Sequence, residues 1–116
     1  MNHLKQWQIF DYPFLKENTH PIVIISNDEL CRNEKFEHFN ALICTSVRDD
    51  RLPKPWEVFL EREDGFDHKT AVRCNFIYAL SKEKLKNFRG IVTVTRQKQI
   101  EKVLGSCFRF RLYARD

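Results

Sequence analysis

The hydrophobic positions of the chain fall into short, β-prone runs separated by polar segments, without the long repeats of a helical bundle. Such runs occupy residues 7–14, 21–26, 40–46, 55–60 and 70–80, with a shorter one at 91–95. β-branched and aromatic residues dominate these runs, which is typical of strands. Four consecutive β-branched residues in PIVIIS, residues 21–26, predict a strand buried on both faces. The runs at 40–46 and 55–60 are predicted to pair as a hairpin.

Polar segments and one change of period predict the connections and a helix. Residues 15–20 and 61–70 are predicted loops, and residues 27–39 a loop with one helical turn capped by Asn27 or Asp28. Residues 81–90 predict a short helix or turn. From residue 96 the apolar positions follow helical spacing, at Ile100, Val103, Leu104 and Cys107. The pattern predicts one mainly β (α+β) domain over residues 1–116, closed into a barrel or curved sheet that hides its strand edges.

Composition narrows the class of protein. The chain has 116 residues, 42% of them hydrophobic and 31% charged, which is ordinary for a folded domain. Lysine and arginine number 20 against 16 acidic residues, a formal net charge of +4. That excess is compatible with a nucleic acid or an acidic partner, although many basic proteins bind neither.

Cysteine and histidine spacing argues against a metal or a disulfide framework. The four cysteines form no C-x-x-C pair, and the four histidines are scattered without ligand spacing, so no metal and no cofactor are predicted. Cys44, Cys74 and Cys107 adjoin apolar residues and are predicted to be reduced. The N-terminal segment does not resemble a signal peptide, and no apolar run approaches the roughly 20 residues that span a bilayer. We therefore expect a cytoplasmic protein without a membrane partner.

The segment NALICTSVRDDRLPKPWEVFL, residues 40–60, carries the candidate chemistry. Thr45 and Ser46 end an apolar strand, and Arg48 and Arg51 follow in a loop with two prolines. Hydroxyls and guanidiniums at the end of a strand form a ledge that suits a phosphate. The alternative is a self-neutralised, solvated loop, because Asp49 and Asp50 lie between the arginines in sequence.

Three motifs in order resemble the MazF/PemK family of toxins from toxin–antitoxin modules. Residues 21–26 match its P-x-V-V-x-S segment, ALICTS matches a strand ending in a threonine-rich rim, and residues 55–60 match P-x-E-V-x-L. The motifs are individually weak, but their order and spacing agree over roughly residues 7–105. The resemblance implies an SH3-like small barrel of five to seven strands, with a C-terminal helix and short helical turns.

The resemblance also implies an activity and partners. Members of the family are homodimers that cleave single-stranded RNA without a metal, leaving a 2′,3′-cyclic phosphate and a 5′-hydroxyl. They are neutralised by a cognate antitoxin, whose acidic and partly disordered segment would suit a chain of net charge +4. An arginine in the first loop and a threonine at the strand rim act on the scissile phosphate.

Transferred to this sequence, Thr45 falls on the family threonine, but His20 stands where the family has its loop arginine. A bidentate, permanently charged group is thus replaced by one that titrates near neutral pH. We predict His20 and Thr45 as catalytic residues, His20 as proton donor or acceptor. The predicted RNA-binding residues are Ser46, Arg48, Arg51, Arg73 and Asn75.

Two other functions stay open at the level of sequence. The missing arginine favours a catalytically inactive barrel that binds RNA or a protein. A poison of a topoisomerase, like CcdB, would share the fold. Close approach of His20 to Thr45, with an arginine within reach, would favour the nuclease over the binding module.

Overall fold

The structure is a computed structural model that describes residues 4–15, 18–112 and 114 of the chain. Seven strands form one curled sheet: β1 Gln8–Leu15, β2 Asn18–Ile24, β3 His38–Ser46, β4 Glu57–Leu60, β5 Thr70–Arg73, β6 Tyr78–Ser81 and β7 Lys86–Ile91. A five-residue helix, α1 Asp28–Arg32, follows β2, and the long helix α2 Val94–Cys107 follows β7. Two single 3₁₀ turns cover Arg62–Asp64 and Lys82–Lys84. This is the predicted small β barrel with a C-terminal helix and short helical turns.

The central strand of the sheet is β3, because three strands pair with it. The strand order is β4-β5-β3-β2-β1-β7, and β6 also pairs with β3. Along one edge of β3, β5 pairs with Cys44–Ser46 and β6 with His38–Ala41. β2 pairs with the other edge at Ala41–Ile43.

Two clusters of buried side chains lie on opposite faces of β2 and β3. One cluster includes Val23, Leu42 and Cys44, and Ile100 of α2 packs into it. The other includes Ile22, Ile24 and Ala41. Because side chains alternate along a strand, the uninterrupted apolar run of β2 supplies both clusters, which confirms its predicted burial on both faces.

A buried carboxylate connects the start of α2 to the barrel. Thr93 caps the helix, its hydroxyl accepting a hydrogen bond from the Arg96 amide. Asp64, fully buried, accepts hydrogen bonds from the amide and the hydroxyl of Thr93, both at 3.1 Å. Next to it, Gly65 adopts φ 101°, and a Cβ at this position would lie 2.8 Å from the Arg89 carbonyl oxygen. Only glycine fits this approach of the turn to β7.

Several local predictions were wrong. The 55–60 segment does not pair with β3: β4 pairs with β5, which lies between them. The 70–80 run is two strands rather than one, interrupted after Arg73, and Phe76 is 57% exposed. Residues 91–95 do not form a strand, because β7 ends at Ile91 and α2 begins at Val94. β7 itself occupies part of the segment predicted as a helix or turn.

The predicted loop at 15–20 is also shorter than expected. β2 already begins at Asn18, so His20 lies in a strand, and residues 16 and 17 lie outside the described residues. The helical turn at α1 is confirmed, and its cap is Asn27, whose side chain accepts a hydrogen bond from the Leu30 amide. The residues after α2 that the structure describes, up to 112, have no regular secondary structure.

Candidate functional site

The candidate site lies at the C-terminal end of β3, which we call the strand rim and define as Thr45 and Ser46. Thr45 is half-buried and Ser46 is exposed. Thr45 pairs with Ala71 of β5, and Ala71 pairs in turn with Phe59 of β4. Residues directly opposite in a ladder share a face, so these three side chains form a row across three strands. Ala71 is fully buried between them, whereas Thr45 and Phe59 are each partly exposed.

The same row carries positive charge. The Arg51 guanidinium lies 5.4 Å from the centre of the Phe59 ring, and the Lys69 ammonium lies 5.5 Å from it. Both distances are within the range of a cation–π contact. Arg73 is two residues beyond Ala71 and therefore on the same face of β5 as the row. A hydroxyl, an aromatic ring and three cationic side chains thus share one face of the β3-β5-β4 sheet.

Arg51 is already bound to an internal partner. Its Nη1 and Nη2 atoms donate to the two carboxylate oxygens of Glu57 at 2.7 and 3.0 Å. The Lys54 amide donates to the same carboxylate at 2.9 Å. The hydrogen bond from Arg51 holds the pKa of Glu57 below its ordinary value despite burial. The pair therefore orders the β3–β4 loop, and Arg51 is free for a phosphate only if it leaves Glu57.

The remaining predicted RNA-binding residues are more accessible. Arg48, Arg73 and Asn75 are all exposed. Within the described part of the chain, the guanidinium groups of Arg48 and Arg73 form neither a salt bridge nor a side-chain hydrogen bond. Arg48 follows the rim, whereas Arg73 ends β5 and Asn75 lies two residues beyond it.

His20 lies on the strand next to the rim. The pairing of Ile22 with Ile43 sets the register of β2 and β3, and continuing it by two residues would place His20 opposite Thr45. Both residues share the face of Ile22 and Ile43. The ladder ends before that point, since position 21 is proline and has no N–H to donate. Beyond the pair of Ile22 and Ile43, the described residues of β2 and β3 are therefore not paired, and His20 and Thr45 lie on neighbouring strands past the end of the ladder.

An aromatic cluster holds the His20 ring. His20 pairs with Tyr12 across β1, and its ring lies 5.9 Å from the ring of Phe14 in an edge-to-face arrangement. The Phe14 ring contacts Tyr78, which contacts the exposed Phe76. The half-buried His20 is thus part of an aromatic face rather than of the loop predicted at residues 15–20.

A second histidine at the rim, His68, was not identified by sequence reasoning, which considered it only as a possible metal ligand. Its Nε2 lies 3.0 Å from the Ser46 hydroxyl and its Nδ1 lies 2.6 Å from an Asp67 carboxylate oxygen. The hydrogen bond from His68 lowers the pKa of Asp67, so this carboxylate is ionised at neutral pH. The pairing of Ser46 with Thr70 brings His68 to the rim, and the sequence alone gives no signal for that pairing.

The protein has a recognisable family and fold. Residues 5–108 match the family described as PemK-like, MazF-like toxin of type II toxin–antitoxin system. The chain belongs to this family. No curated protein matches it in sequence. The resemblance seen in the three sequence motifs is thereby confirmed.

Solved structures of MazF-like proteins share the fold. An endoribonuclease in complex with its cognate antitoxin, from a mycobacterial species, matches with TM-score 0.75 and 21% identity, covering 97% of this chain and 100% of that one. MazF in a MazE–MazF complex from Deinococcus radiodurans matches with TM-score 0.74 and 15% identity, covering 96% and 100%. The Mycobacterium tuberculosis toxin MazF-mt6 matches with TM-score 0.74 and 12% identity, covering 90% and 99%.

Metal ligands, membrane-spanning helices and clefts each bear on what this MazF/PemK-family chain can do. Among the described residues, no three histidine, cysteine or acidic side chains group as a metal site would require. The same residues include no helix with the length and apolar character that crossing a membrane needs. A cleft of about 590 Å³ lies away from the rim, between α1 and the second 3₁₀ turn, and it brings Phe10, Cys31 and Lys82 together. The rim itself is an open surface, which suits an extended polymer better than a small molecule.

Proposed function

We propose that this protein is the toxin of a toxin–antitoxin module and cleaves single-stranded RNA in the cytoplasm. The reaction is metal-independent and sequence-specific, and its products carry a 2′,3′-cyclic phosphate and a 5′-hydroxyl. The observation that carries the proposal is the row of Thr45, Ala71 and Phe59 with cations at its edges. Such a row offers a hydroxyl to a phosphate, a ring to a base and positive charge to the backbone.

The reaction needs no group beyond those of the RNA and the protein. The 2′-hydroxyl of the substrate attacks the adjacent phosphorus, and the 5′-oxygen leaves. In our proposal the Thr45 hydroxyl donates a hydrogen bond to a non-bridging oxygen, which stabilises the charge that develops in the transition state. His20, on the strand next to Thr45, transfers a proton or, when protonated, supplies the positive charge of the family arginine.

The remaining site residues hold the substrate. Arg73 and Arg48 contact phosphates on either side of the scissile bond, while Ser46 and Asn75 hydrogen-bond to sugars or base edges. Arg51 joins them only by exchanging Glu57 for a phosphate, because both of its Nη atoms donate to that carboxylate. Exchange of a buried charged partner is costly, so Arg73 is the main source of charge at the scissile phosphate.

We further propose that the active form is a homodimer and that an acidic, partly disordered antitoxin segment neutralises it. The family is one of toxin–antitoxin systems, and two of the matching structures are toxins with antitoxins. A segment with carboxylates would compete with RNA phosphates for the same cations. Such a segment gains its affinity from charge and surface area despite the entropy lost on ordering.

The test is incubation of the purified protein with a long single-stranded RNA in EDTA. We expect cuts at a short fixed sequence with cyclic-phosphate ends. Thr45→Ala should reduce the rate about 100-fold or more, as removal of one transition-state donor does, and His20→Ala should reduce it comparably. Thr19→Ala and His38→Ala remove the same residue types elsewhere and should leave the rate unchanged. Absence of cleavage by the unaltered protein would overturn the proposal.

A binding module without catalysis is the second candidate. It is favoured by two observations: His20 replaces the family arginine, and Arg51 is engaged with Glu57. This alternative predicts tight binding of single-stranded RNA, lost on Arg73→Ala, with no cleavage at any pH between 5 and 9. The same preparation of RNA and protein therefore separates the two functions.

A further inference from the structure

The strand rim carries a hydrogen-bonded chain of three side chains, of which the proposed mechanism uses only Ser46. Ser46 contacts His68 Nε2 at 3.0 Å, and His68 Nδ1 contacts Asp67 at 2.6 Å. The Asp67 carboxylate is ionised and only accepts hydrogen bonds, so Nδ1 of the imidazole must carry the proton. In the neutral ring, Nε2 then has a free lone pair and accepts the hydroxyl proton of Ser46.

The backbone holds this histidine against the rim. The Val47 amide donates to the Lys69 carbonyl at 3.0 Å, which continues the pairing of β3 with β5 past Ser46. The Thr70 hydroxyl donates to the His68 carbonyl at 3.2 Å, and the His68 ring packs edge-to-face at 6.4 Å from buried Phe66. Even so, 49% of the His68 side chain is exposed. Packing against Phe66 therefore orients the His68 ring, while the exposed part of its side chain stays accessible to a substrate.

We propose that His68 is the general base that removes the proton from the RNA 2′-hydroxyl, with Asp67 fixing its tautomer. This inference rests on the proposed ribonuclease function. The Ser46 hydroxyl marks the place where a hydroxyl meets Nε2, and the 2′-hydroxyl of the substrate takes that place when RNA binds. Ser46 is exposed at the end of its strand, so its side chain can rotate away.

The positions of the two histidines give each a role. Thr45 and Ser46 project to opposite faces at the end of β3, with His20 on the β2 side and His68 on the β5 side. The scissile phosphate would straddle the strand end, Thr45 holding one non-bridging oxygen. The 2′-oxygen forms a bond to phosphorus while its proton moves to His68 Nε2. The bond from phosphorus to the 5′-oxygen breaks, and that oxygen takes a proton from the His20 imidazolium. Both rings then exchange protons with water.

This division of labour predicts the pH profile. The base must accept a proton and the acid must donate one, so kcat/KM should rise with pH on a limb that requires His68 and fall on a limb that requires His20. The charged side chains around His68 are those of Asp67, Lys69 and Arg89. Arg89 of β7 lies close enough to contribute to the lowered pKa of Asp67.

The experiment compares cleavage by the unaltered protein and by His68→Ala, His68→Gln and Asp67→Asn, with His38→Ala as the matched control. His38 begins β3 while Ser46 ends it, eight residues away, or about 27 Å. We expect kcat of both His68 variants to fall about 100-fold or more, which is the usual contribution of a general base. Both variants should also lose the rising limb of the pH profile of kcat/KM. Asp67→Asn should lower kcat and move that limb, and His38→Ala should change neither.

Binding of an RNA with a single 2′-deoxy sugar at the cut site separates catalysis from folding. We expect His68→Gln to bind this uncleavable RNA within threefold of the unaltered protein, placing the loss in the chemical step. Glutamine can still hydrogen-bond to Ser46, so full activity of His68→Gln would show a structural role and overturn the assignment. Rates of His68→Ala equal to those of His38→Ala would overturn it as well, while leaving the nuclease intact. No cleavage by the unaltered protein would instead remove the proposed function and this inference together.

Discussion

Arg51 donates hydrogen bonds to both carboxylate oxygens of Glu57, at 2.7 and 3.0 Å, on the sheet face that carries Thr45. Glu57 is the more buried of the two, with only 3% of its side chain exposed against 32% for Arg51. The carboxylate also accepts a hydrogen bond from the Lys54 amide, so three hydrogen bonds hold it. Arg51 is thus part of the scaffold, whereas Arg48 and Arg73 are exposed.

The first prediction concerns the salt dependence of RNA binding. Arg73→Ala should reduce the slope of log K against log[salt] by about 0.7, the value for one phosphate contact to a single strand. Arg51→Ala should change that slope by less than half as much, because its charge is already neutralised by Glu57. Fluorescence anisotropy with a 2′-deoxy oligonucleotide, titrated at several KCl concentrations, measures both slopes. Equal losses from the two variants would show that Arg51 leaves Glu57 when RNA binds.

The second prediction concerns stability at acid pH. Since the folded-state pKa of Glu57 lies below its ordinary value of 4.5, the ion pair adds stability that is fully present above the unfolded-state pKa. That contribution is lost as the pH falls through the folded-state pKa. Thermal unfolding of the unaltered protein and of Glu57→Gln is measured from pH 7 to pH 3. The unaltered protein should have the higher Tm at neutral pH, and the difference in Tm should vanish in acid. A difference that is constant with pH would contradict this account of the pair.

The third prediction concerns two glycines whose replacement by alanine should have opposite effects on stability. Gly65→Ala should destabilise the protein by about 1–3 kcal/mol or more, because φ is 101° and the new Cβ would clash with the Arg89 carbonyl. Gly105→Ala should instead stabilise it by up to about 1 kcal/mol, since Gly105 lies within α2 and a Cβ there meets nothing within 4 Å. Urea unfolding of both variants tests the pair. A loss of stability in Gly105→Ala would indicate an interaction of α2 that the isolated chain does not show.

The fourth prediction concerns the thiols, all four of which are free. Burial raises the pKa of Cys74 to about 12 and that of Cys44 further still, so neither forms a thiolate at neutral pH. Cys107, which is half-buried near the end of α2, should react first with iodoacetamide. Mass spectrometry after partial alkylation identifies the modified site. Labelling of Cys44 or Cys74 in the native protein at the rate of Cys107 would refute their burial.

The sequence predicted the elements whose pattern is local. The apolar run of β2 and the helical spacing of α2 are visible along the chain, and both appear in the structure. Residues 91–95 were wrongly predicted as a strand because they include β-branched residues such as Thr93. Thr93 is also a good helix cap, and its role is decided by hydrogen bonds to the buried Asp64 on another element. β7 was missed because its mixture of charged residues and glycine does not alternate between apolar and polar.

Pairing across the sheet was the part that local patterns could not supply. β4 follows β3 along the chain, yet β5 lies between them, so proximity in sequence gave the wrong partner. The same pairing decides which residues surround Thr45. His68 is 22 residues from Ser46 and reaches it only because β5 returns along β3. The sequence supplied the candidate side chains, whereas the neighbours of each candidate are a property of the fold.

The closure of β1 against β7 has a consequence for how this protein is made. Gln8 pairs with Ile91, and Asp11 forms an ion pair with Arg89, 78 residues further along the chain. Contacts between such distant segments form late, because a long loop must close before they contribute stability. A ribosome therefore releases the rim and the strand of His20 well before the sheet that supports them is complete. The sheet of this chain therefore stays incomplete until most of the chain has been synthesised, so the strand rim reaches its final packing only late in translation.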